Sequence, residues 1–308
     1  MSHAVDAQPT ADKSSGEHSP RKKSGLGRIL APVILALIGI AVLLYPVVIT
    51  QLTNLEQHRV AQSYTKEERD VSGEKLAAQM KRAREYNENR TTGPILDPWL
   101  SRVSEDNEEY QEYLSQLNAL SVMARLVVPT ANVDLPVYHG TSDATLHKGV
   151  GHLYGSDLPV GGMDTHSVLT AHSGLTNATL FDNLHKVKKG DAIYVGVSGE
   201  RLKYEVDDIQ TVLPHETDGL KPQVGKDLIT LVTCTPYGIN THRLLVTGHR
   251  VPMDPEDEAA FSEGGMNWQW WMIASLIAAV VFLIGFIWWA LRQRKKQQAA
   301  AEEEEMDI

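Results

Sequence analysis

The chain has 308 residues, of which 42% are hydrophobic, and its 39 Asp and Glu outnumber its 29 Lys and Arg to give a formal net charge of −10 at pH 7. This length accommodates one domain of ordinary size together with accessory segments. Residues 52–267 hold 31 acidic and 20 basic residues. Because a nucleic-acid-binding domain needs a basic surface, we exclude that class and expect no nucleic acid among the partners.

The N-terminal part of the chain divides into a polar arm and an apolar run. Residues 1–28 are polar and lack an apolar period, which predicts a disordered cytoplasmic arm. Residues 29–49 are uncharged and long enough to cross a hydrocarbon core of about 30 Å as a helix. No small-residue cleavage site follows, so we predict a transmembrane signal anchor rather than a removed signal peptide.

Residues 50–121 are predicted to be a helical extension ahead of the main domain. Residues 51–89 are helix-like, with sparse apolar positions among many charges, which is typical of a solvated stalk helix. Asp97 and Pro98 form a common helix start, with Asp as the N-cap and Pro at the first helical position. This predicts a helix through Tyr110 toward Leu120, with Trp99 packed on whatever lies beneath it.

From residue 122 to residue 252 the pattern changes to short strands separated by turn residues. Seven strands are predicted, at Ala124–Pro129, Val133–Tyr138, Ser167–Ala171, Ala192–Val197, Arg201–Val212, Asp227–Thr233 and Arg243–Val251. Single helical turns are predicted near Leu146–Leu153 and Leu180–Val187. Seven or eight short strands with few helices predict a mainly β fold, a closed or nearly closed β-barrel.

The C-terminal part of the chain is predicted to return to the membrane. Residues 253–267 are acidic and read as a linker, and residues 268–291 form a second transmembrane run. Basic residues lie before the first run and after the second, which predicts a two-pass membrane protein with both termini in the cytoplasm, a cytoplasmic tail at 292–308 and an extracellular middle. These basic residues are Arg21, Lys22, Lys23, Arg28, Arg292, Arg294, Lys295 and Lys296.

The only cysteine, Cys234, ends a predicted strand, and Arg243 begins the next one after a turn at Pro236-Tyr237-Gly238. The two side chains are therefore predicted at the facing ends of neighbouring strands. There a thiol could attack a carbonyl carbon while a guanidinium holds the developing negative charge. The alternative is that Cys234 is a small buried hydrophobe, which is the commoner role of a lone cysteine.

His172 is the histidine best placed to act with Cys234. It follows the predicted strand Ser167–Ala171 and precedes Ser173-Gly174, so its imidazole lies on a turn at a strand end, where it could act as general acid and base. His242 and His249 are rivals, and His242 is predicted to point to the opposite side of its strand from Arg243. No histidines and carboxylates have convincing metal-ligand spacing, so we predict neither a metal nor a cofactor.

Three motifs in this order and spacing resemble those of the sortases. The resemblance rests first on Thr230-Leu231-Val232-Thr233-Cys234, with Arg243 nine residues after the cysteine. It rests also on the upstream sequence Leu169-Thr170-Ala171-His172-Ser173-Gly174-Leu175. It extends through 135–141, 148–153 and 158–162. The resemblance implies a sortase β-barrel catalytic domain at 122–252, with Cys234, His172 and Arg243 as catalytic residues and Thr233, Thr170 and Ser173 as weaker substrate-binding candidates.

Two membrane runs and a helical extension resemble the class C sortases, the pilin polymerases of Gram-positive bacteria. In that class a lid in the extension carries an Asp-Pro-aromatic motif, which Asp97, Pro98 and Trp99 match within residues 91–100. The resemblance implies that Asp97 pairs with Arg243 and that Trp99 covers Cys234. The reading of Asp97 as a helix cap stays open beside it.

The same resemblance implies a reaction. Cys234 would cleave a Leu-Pro-x-Thr-Gly sorting signal between Thr and Gly through a thioester, and a lysine of another pilin subunit would accept the acyl group to form an isopeptide bond. Pilin subunits that carry sorting signals and acceptor lysines are thus the implied partners. The alternatives are a sortase that anchors proteins to a peptidoglycan precursor, a hydrolytic cysteine peptidase and a non-catalytic surface scaffold.

Overall fold

The computed structural model describes residues 25–90, 97–98, 107–262 and 268–306. The chain divides into two compact units, one formed by residues 43–285 and the other by the two chain ends, residues 1–42 and 286–308. The larger unit contains the whole β-sheet. In the described residues, the smaller unit consists of the starting part of the first long helix and the final part of the last one.

Eight strands close into a barrel with the order β1-β2-β3-β4-β7-β8-β6-β5, which confirms the predicted mainly β fold. The pairs β2–β3 and β4–β7 are parallel, and the other neighbours are antiparallel. The strands are β1 (Ala124–Val128), β2 (Val133–His139), β3 (Val150–His152), β4 (Thr165–Thr170), β5 (Ala192–Val197), β6 (Glu200–Val212), β7 (Asp227–Thr235) and β8 (His242–Val251).

The central strands are buried along almost their whole length. Strands β4 and β7 lie side by side in parallel, and both are rich in Leu, Ile, Val and Thr, the residues that suit a sheet covered on both faces. Strand β6 instead alternates buried and exposed positions over its first half. Because β4 and β7 run in parallel and β8 runs antiparallel to β7, the ends of β4 and β7 and the start of β8 lie at one edge of the barrel.

The prediction of helical turns between β2 and β5 was partly wrong. A short helix, α4 (Asp143–Lys148), is followed at once by β3, where we predicted a continuing helical turn. Gly149 lies between them, and a Cβ at this position would be only 2.8 Å from the Pro136 carbonyl oxygen, so the chain passes close to β2 there. This close approach lets three residues pair in parallel with β2 and complete the barrel.

Two long helices precede the barrel, and they do not form a solvated stalk. Helix α1 (Gly25–Asp70) runs from the first apolar segment without a break, and α2 (Gly73–Asn89) follows after a short turn. The buried positions in the second half of α1 recur every three or four residues, at Gln57, Ala61, Tyr64 and Glu68. Because this buried stripe is made of small and polar residues, a hydropathy pattern alone does not show it.

Hydrogen bonds fix the second half of α1 to the barrel. The Tyr64 hydroxyl accepts from the Ser198 N–H at 2.7 Å, and the Glu68 carboxylate accepts from Arg201 Nη2 at 2.6 Å and from the Gly199 N–H at 2.9 Å. Each of these partners lies in or beside the β5–β6 hairpin. The extension is therefore part of the barrel's own packing.

Helix α3 (Glu108–Ser115) covers another side of the barrel and begins later than predicted, with Asn107 as its N-cap. Its Tyr113 is fully buried. The Tyr113 hydroxyl bonds to His152 Nδ1 at 2.9 Å and accepts from the Gly140 N–H at 2.9 Å. Burial lowers the pKa of His152 to about 3, so this imidazole is neutral and holds α3 in place as a hydrogen-bonding group.

The predicted linker after the barrel is partly structured. Residues Pro255–Phe261 form a 3-10 helix whose Asp257 accepts hydrogen bonds from Tyr194 at 2.7 Å and Lys203 at 2.8 Å. Phe261 is buried, with the Arg201 guanidinium 4.9 Å from its ring centroid. Helix α5 (Trp270–Met306) then carries the second apolar run. In the part of the chain that the structure describes, two helices are thus long and apolar enough to cross a membrane.

Candidate active site

Cys234 and Arg243 face each other across two strands, as predicted. In the antiparallel register of β7 and β8, Cys234 is the direct partner of Arg243, and Thr235 is the partner of His242. The turn between them starts at Pro236, and both Cys234 and Arg243 are mostly buried. Directly opposed residues bring their Cβ atoms to about 4.5–5.5 Å, so the two side chains leave the sheet next to each other on the same face.

The turn that carries His172 is fastened to the strand that carries Cys234. The Ala171 N–H donates to the Val232 carbonyl at 3.2 Å, which extends the β4–β7 pairing by one residue. The Ser173 hydroxyl then donates to the carbonyl of Cys234 itself at 2.7 Å. His172 lies between these two bonds, so thiol, imidazole and guanidinium occur at one edge of the barrel.

The three weaker candidates have their hydroxyls engaged with the backbone. Thr170 donates to the Val232 carbonyl at 3.0 Å, and Thr233 donates to the Ala171 carbonyl at 2.8 Å. With the Ser173 bond, these contacts connect the ends of β4 and β7 on both sides of His172. Substrate binding by these residues stays a prediction, and the contacts that their hydroxyls make are with the chain itself.

Asp97 contacts Arg243, as the resemblance implied. Arg243 Nε donates to Asp97 Oδ2 at 2.6 Å and Nη2 donates to Oδ1 at 3.3 Å, so the two groups pair through both oxygens. Asp97 is buried, and the next residue is held as well, because the Thr141 hydroxyl donates to the Pro98 carbonyl at 2.8 Å. Trp99 lies outside the described residues, and its predicted position over Cys234 stays a prediction.

The electrostatic surroundings hold the thiol and the imidazole in their neutral forms. Burial raises the pKa of Cys234; the positive charge of Arg243 lowers it, and the negative charge of Asp97 raises it again. Burial also lowers the pKa of His172, and His147, whose ring centroid is 5.4 Å away, lowers it further, while Asp143 raises it. With Asp97 in place, therefore, Cys234 is a protonated thiol and His172 a neutral imidazole near neutral pH.

Asp182 and its neighbour Phe181, which sequence reasoning missed, contact the turn that carries His172. Asp182 accepts from the Gly174 N–H at 2.7 Å, and its neighbour Phe181 donates its N–H to the His172 carbonyl at 3.0 Å. Tyr237, in the turn after Cys234, also hydrogen-bonds to Asp182. Burial raises the pKa of Asp182 to about 7. No sequence pattern marks Asp182, because it lies in a loop and its partners come from two other loops.

The rival histidines have other surroundings. His242 contacts Thr241 at 2.9 Å, and His249 forms a half-exposed pair with Asp207 at 3.0 Å, far along β8 from the strand end that holds Arg243. Within the ranges that the structure describes, no group of three His, Cys, Asp or Glu could hold a metal ion. The candidate site therefore remains the predicted set of Cys234, His172 and Arg243, with Asp97 paired to the guanidinium.

The structure is thus a closed β-barrel with a cysteine, a histidine and an arginine at one edge as candidate catalytic groups. Comparison with known proteins agrees: the sortase domain family model matches residues 126–251. Sortase C-1 from Actinomyces oris is 57% identical, with a TM-score of 0.57, and the match covers 58% of this chain and 99% of that one. The chain belongs to the sortase family.

Other solved structures give the same result. Sortase A from Corynebacterium diphtheriae is 53% identical, with a TM-score of 0.60, over 67% of this chain and 97% of that one, and a structure of its lid mutant matches at 51% identity. A sortase C from Streptococcus pneumoniae, described in terms of catalysis and pilin substrate specificity, is 39% identical, with a TM-score of 0.58, over 63% of this chain and 97% of that one.

Curated relatives are more distant. Sortase A of Bacillus anthracis is 28% identical over 137 residues, which are 44% of this chain and 63% of that protein. Sortase A from Streptococcus agalactiae is matched over 48% of its length. The chain therefore spans less than two thirds of the length of each of these two curated relatives.

Proposed function

We propose that the protein is a class C sortase, a membrane-anchored cysteine transpeptidase that joins pilin subunits through isopeptide bonds. The observation that carries the proposal is the pairing of Arg243, the cross-strand partner of Cys234, with Asp97 from a segment ahead of the barrel. The pilin specificity named for the Streptococcus pneumoniae relative and the lid named for the Corynebacterium diphtheriae relative support it.

In the proposed acylation step, His172 accepts the thiol proton and Cys234 Sγ attacks the carbonyl carbon of the sorting-signal threonine. The carbonyl oxygen becomes an oxyanion, which the Arg243 guanidinium stabilises by donating N–H groups. The Thr–Gly C–N bond then breaks as the His172 imidazolium gives its proton to the glycine amine. The products are a thioester on Cys234 and a free C-terminal fragment.

In the second step a pilin lysine replaces the glycine amine. The neutral lysine amine attacks the thioester carbon, His172 takes the proton of the amine, and the Cys234 thiolate leaves and is reprotonated. One thioester C–S bond breaks and one isopeptide C–N bond forms, so the acyl group passes between two amines without consuming a cofactor. Access of lysine rather than water to the thioester decides between transpeptidation and hydrolysis.

Asp97 opposes both steps as long as it is bound to Arg243. Its carboxylate accepts the guanidinium hydrogen bonds that would otherwise be donated to the oxyanion. Its negative charge also raises the pKa of the Cys234 thiol. Residues 91–100 therefore act as a lid in this proposal, and activity requires Asp97 to leave Arg243. The proposed domain organisation remains that inferred from the sequence, with the barrel at 122–252 on the extracellular side of the membrane.

The experiment is intact-mass analysis of the full chain in detergent micelles, incubated with a Leu-Pro-x-Thr-Gly peptide and then with a pilin domain. Wild type is compared with a lid variant, Asp97→Ala with Trp99→Ala, and with Cys234→Ala. We expect an acyl adduct on Cys234, formed faster in the lid variant, that transfers to a pilin lysine. Release of the adduct by water alone would indicate a peptidase. Transfer only to a peptidoglycan-type amine would indicate an anchoring sortase, and the absence of an adduct in every variant would indicate a scaffold.

A further inference from the structure

A large cavity lies away from the Cys234 site, between the second half of α1 and the β1–β2 side of the barrel. Its volume is about 1020 Å³. It is lined by α1 residues from Val47 to His58, by residues of β1, β2 and their connection from Val127 to Leu135, and by Trp268 just before α5. This volume is in the range of small-molecule sites in proteins. The proposed function does not use it.

The apolar wall of this cavity continues from a helix that is apolar enough to cross a membrane. Val48, Leu52 and Leu55 are spaced by four and three residues, so they lie on one face of α1, and all three line the cavity. Their exposed fractions are 55%, 58% and 55%. The apolar run of α1 ends at Ile49. Leu52 and Leu55 lie beyond that end, so they extend the apolar surface of the helix from the run to the cavity.

One buried polar side chain in the cavity wall lacks a partner. Gln57 lines the cavity and is only 4% exposed. Among the residues that the structure describes, neither its amide nitrogen nor its amide oxygen has a hydrogen-bond partner. A buried amide without partners is costly, which points to a ligand that offers both an acceptor and a donor.

The charged groups of the wall are already neutralised. His58 Nδ1 lies 2.8 Å from Asp134 Oδ2, and Arg125 donates to the same carboxylate from Nε at 2.7 Å and from Nη2 at 2.8 Å. His58 and Asp134 are the titratable groups among the described lining residues, and Arg125 is the cation behind them. The described wall therefore presents no free charge to bind an ionic headgroup, and an uncharged amphiphile suits it best.

We infer that this cavity binds an uncharged diacylglycerol-type lipid taken from the bilayer. One acyl chain lies along Val48, Leu52 and Leu55, and Gln57 donates to an ester carbonyl and accepts from the glycerol hydroxyl. The inference depends on the proposed membrane location but not on the proposed transpeptidase activity.

The test uses the full chain in phosphatidylcholine nanodiscs that contain a diacylglycerol with a photoactivatable acyl chain, and labelled residues are mapped by tandem mass spectrometry. We expect labelling of the α1 segment around Leu52 and Leu55. Leu52→Trp, which fills the cavity from an exposed position, should reduce this labelling at least about fivefold, whereas Leu37→Trp, on an exposed position of the apolar run, should not. Leu55→Trp is the second filling variant if Leu52→Trp does not fold.

A second comparison addresses Gln57. Gln57→Leu should weaken labelling by the diacylglycerol probe and leave labelling by an ester-free alkyl probe unchanged, because only the ester and hydroxyl need the amide. Equal labelling by an anionic phosphatidylglycerol probe, or labelling that Leu52→Trp and Leu55→Trp both leave unchanged, overturns the inference. Failure of the chain to enter nanodiscs would instead contradict the proposed membrane anchoring, so the two failures are distinguishable.

Discussion

At the scale of residues, two opposite charges in the candidate site have opposing effects on the pKa of Cys234. Arg243 lowers the pKa of the Cys234 thiol, whereas Asp97, the partner of Arg243, raises it. In the proposed mechanism, a single carboxylate therefore affects both the nucleophile, by raising the pKa of Cys234, and the oxyanion donor, by pairing with Arg243. The roles of Arg243, Asp97 and Asp182 can each be tested separately.

Arg243→Lys should lower the rate of sorting-peptide cleavage by about 10²–10³-fold, because a compact ammonium cannot reproduce the planar fork that meets an oxyanion. The rate is measured by chromatography of the cleaved peptide under single-turnover conditions. Arg250→Lys, on the same strand, is the matched control and should keep the wild-type rate. A wild-type rate in Arg243→Lys would refute the clamp role.

Asp97→Asn should speed alkylation of Cys234 by a small thiol reagent several-fold at neutral pH, since the loss of the negative charge lowers the pKa of the thiol. The rate against pH is followed by intact mass, and its inflection should move to lower pH. Asp218→Asn, at the exposed start of a 3-10 turn, serves as the control. An unchanged inflection in Asp97→Asn would show that the aspartate does not act on the thiol.

Asp182 should make the free energy of unfolding depend on pH in a defined window. Its pKa is raised from 3.8 to about 7 in the folded protein, so its contribution is full below about pH 4 and is lost as pH rises through about pH 7. Asp182→Asn should flatten the fall in melting temperature between about pH 5 and about pH 8. A melting curve with the same pH slope in both proteins would contradict the buried carboxyl.

Much of the candidate site could be predicted from the sequence, since a strand, a turn and a strand around Cys234 place Arg243 opposite it with few alternatives. The contact of Asp97 with Arg243 joins residues 146 apart and came from the resemblance rather than from any local pattern. Asp182 could not be found, because no periodicity relates a loop carboxylate to Gly174 and Tyr237.

At the scale of elements, the helices ahead of the barrel were the main error. Helix formation in α1 and α2 was predicted, but the prediction of a solvated stalk was wrong, because α1 buries Ala61, Tyr64 and Glu68. The error arose because this buried face is not made of large aliphatic side chains. Polar groups can form a buried face when they find partners on the barrel, as Tyr64 does at Ser198 and Glu68 does at Arg201. A pattern read from hydrophobicity alone does not register such a face.

Glu68→Ala should destabilise the protein by about 3 kcal/mol, because it leaves the partly buried Arg201 guanidinium without its carboxylate. Chemical denaturation in detergent gives the free energy of unfolding. Glu56→Ala, which breaks an exposed pair with Arg59, should change it by less than about 1 kcal/mol. Adding Arg201→Met to Glu68→Ala should restore most of the loss, and no restoration would argue that the defect lies elsewhere in α1.

At the scale of the whole molecule, the chain holds a barrel between two helices apolar enough to cross a bilayer. We predict both termini inside and the barrel outside, from the basic flanks of the apolar runs. In a Cys234→Ser background, Val224→Cys in an exposed barrel loop should react with an impermeant maleimide added to intact cells. Ser14→Cys and Glu304→Cys should react only after the membrane is opened, and the reverse pattern would invert the topology.

If Asp97 blocks Arg243 as proposed, the blocking group and the site belong to one chain, and this affects how a substrate gains entry. A tethered group faces its partner at an effective concentration that for short flexible connections is on the order of millimolar. Dilution cannot release it, and a free peptide must compete with it at comparable concentration. A substrate confined to the same membrane surface is itself concentrated, so confinement in two dimensions would favour membrane-bound substrates over soluble ones without any additional recognition element.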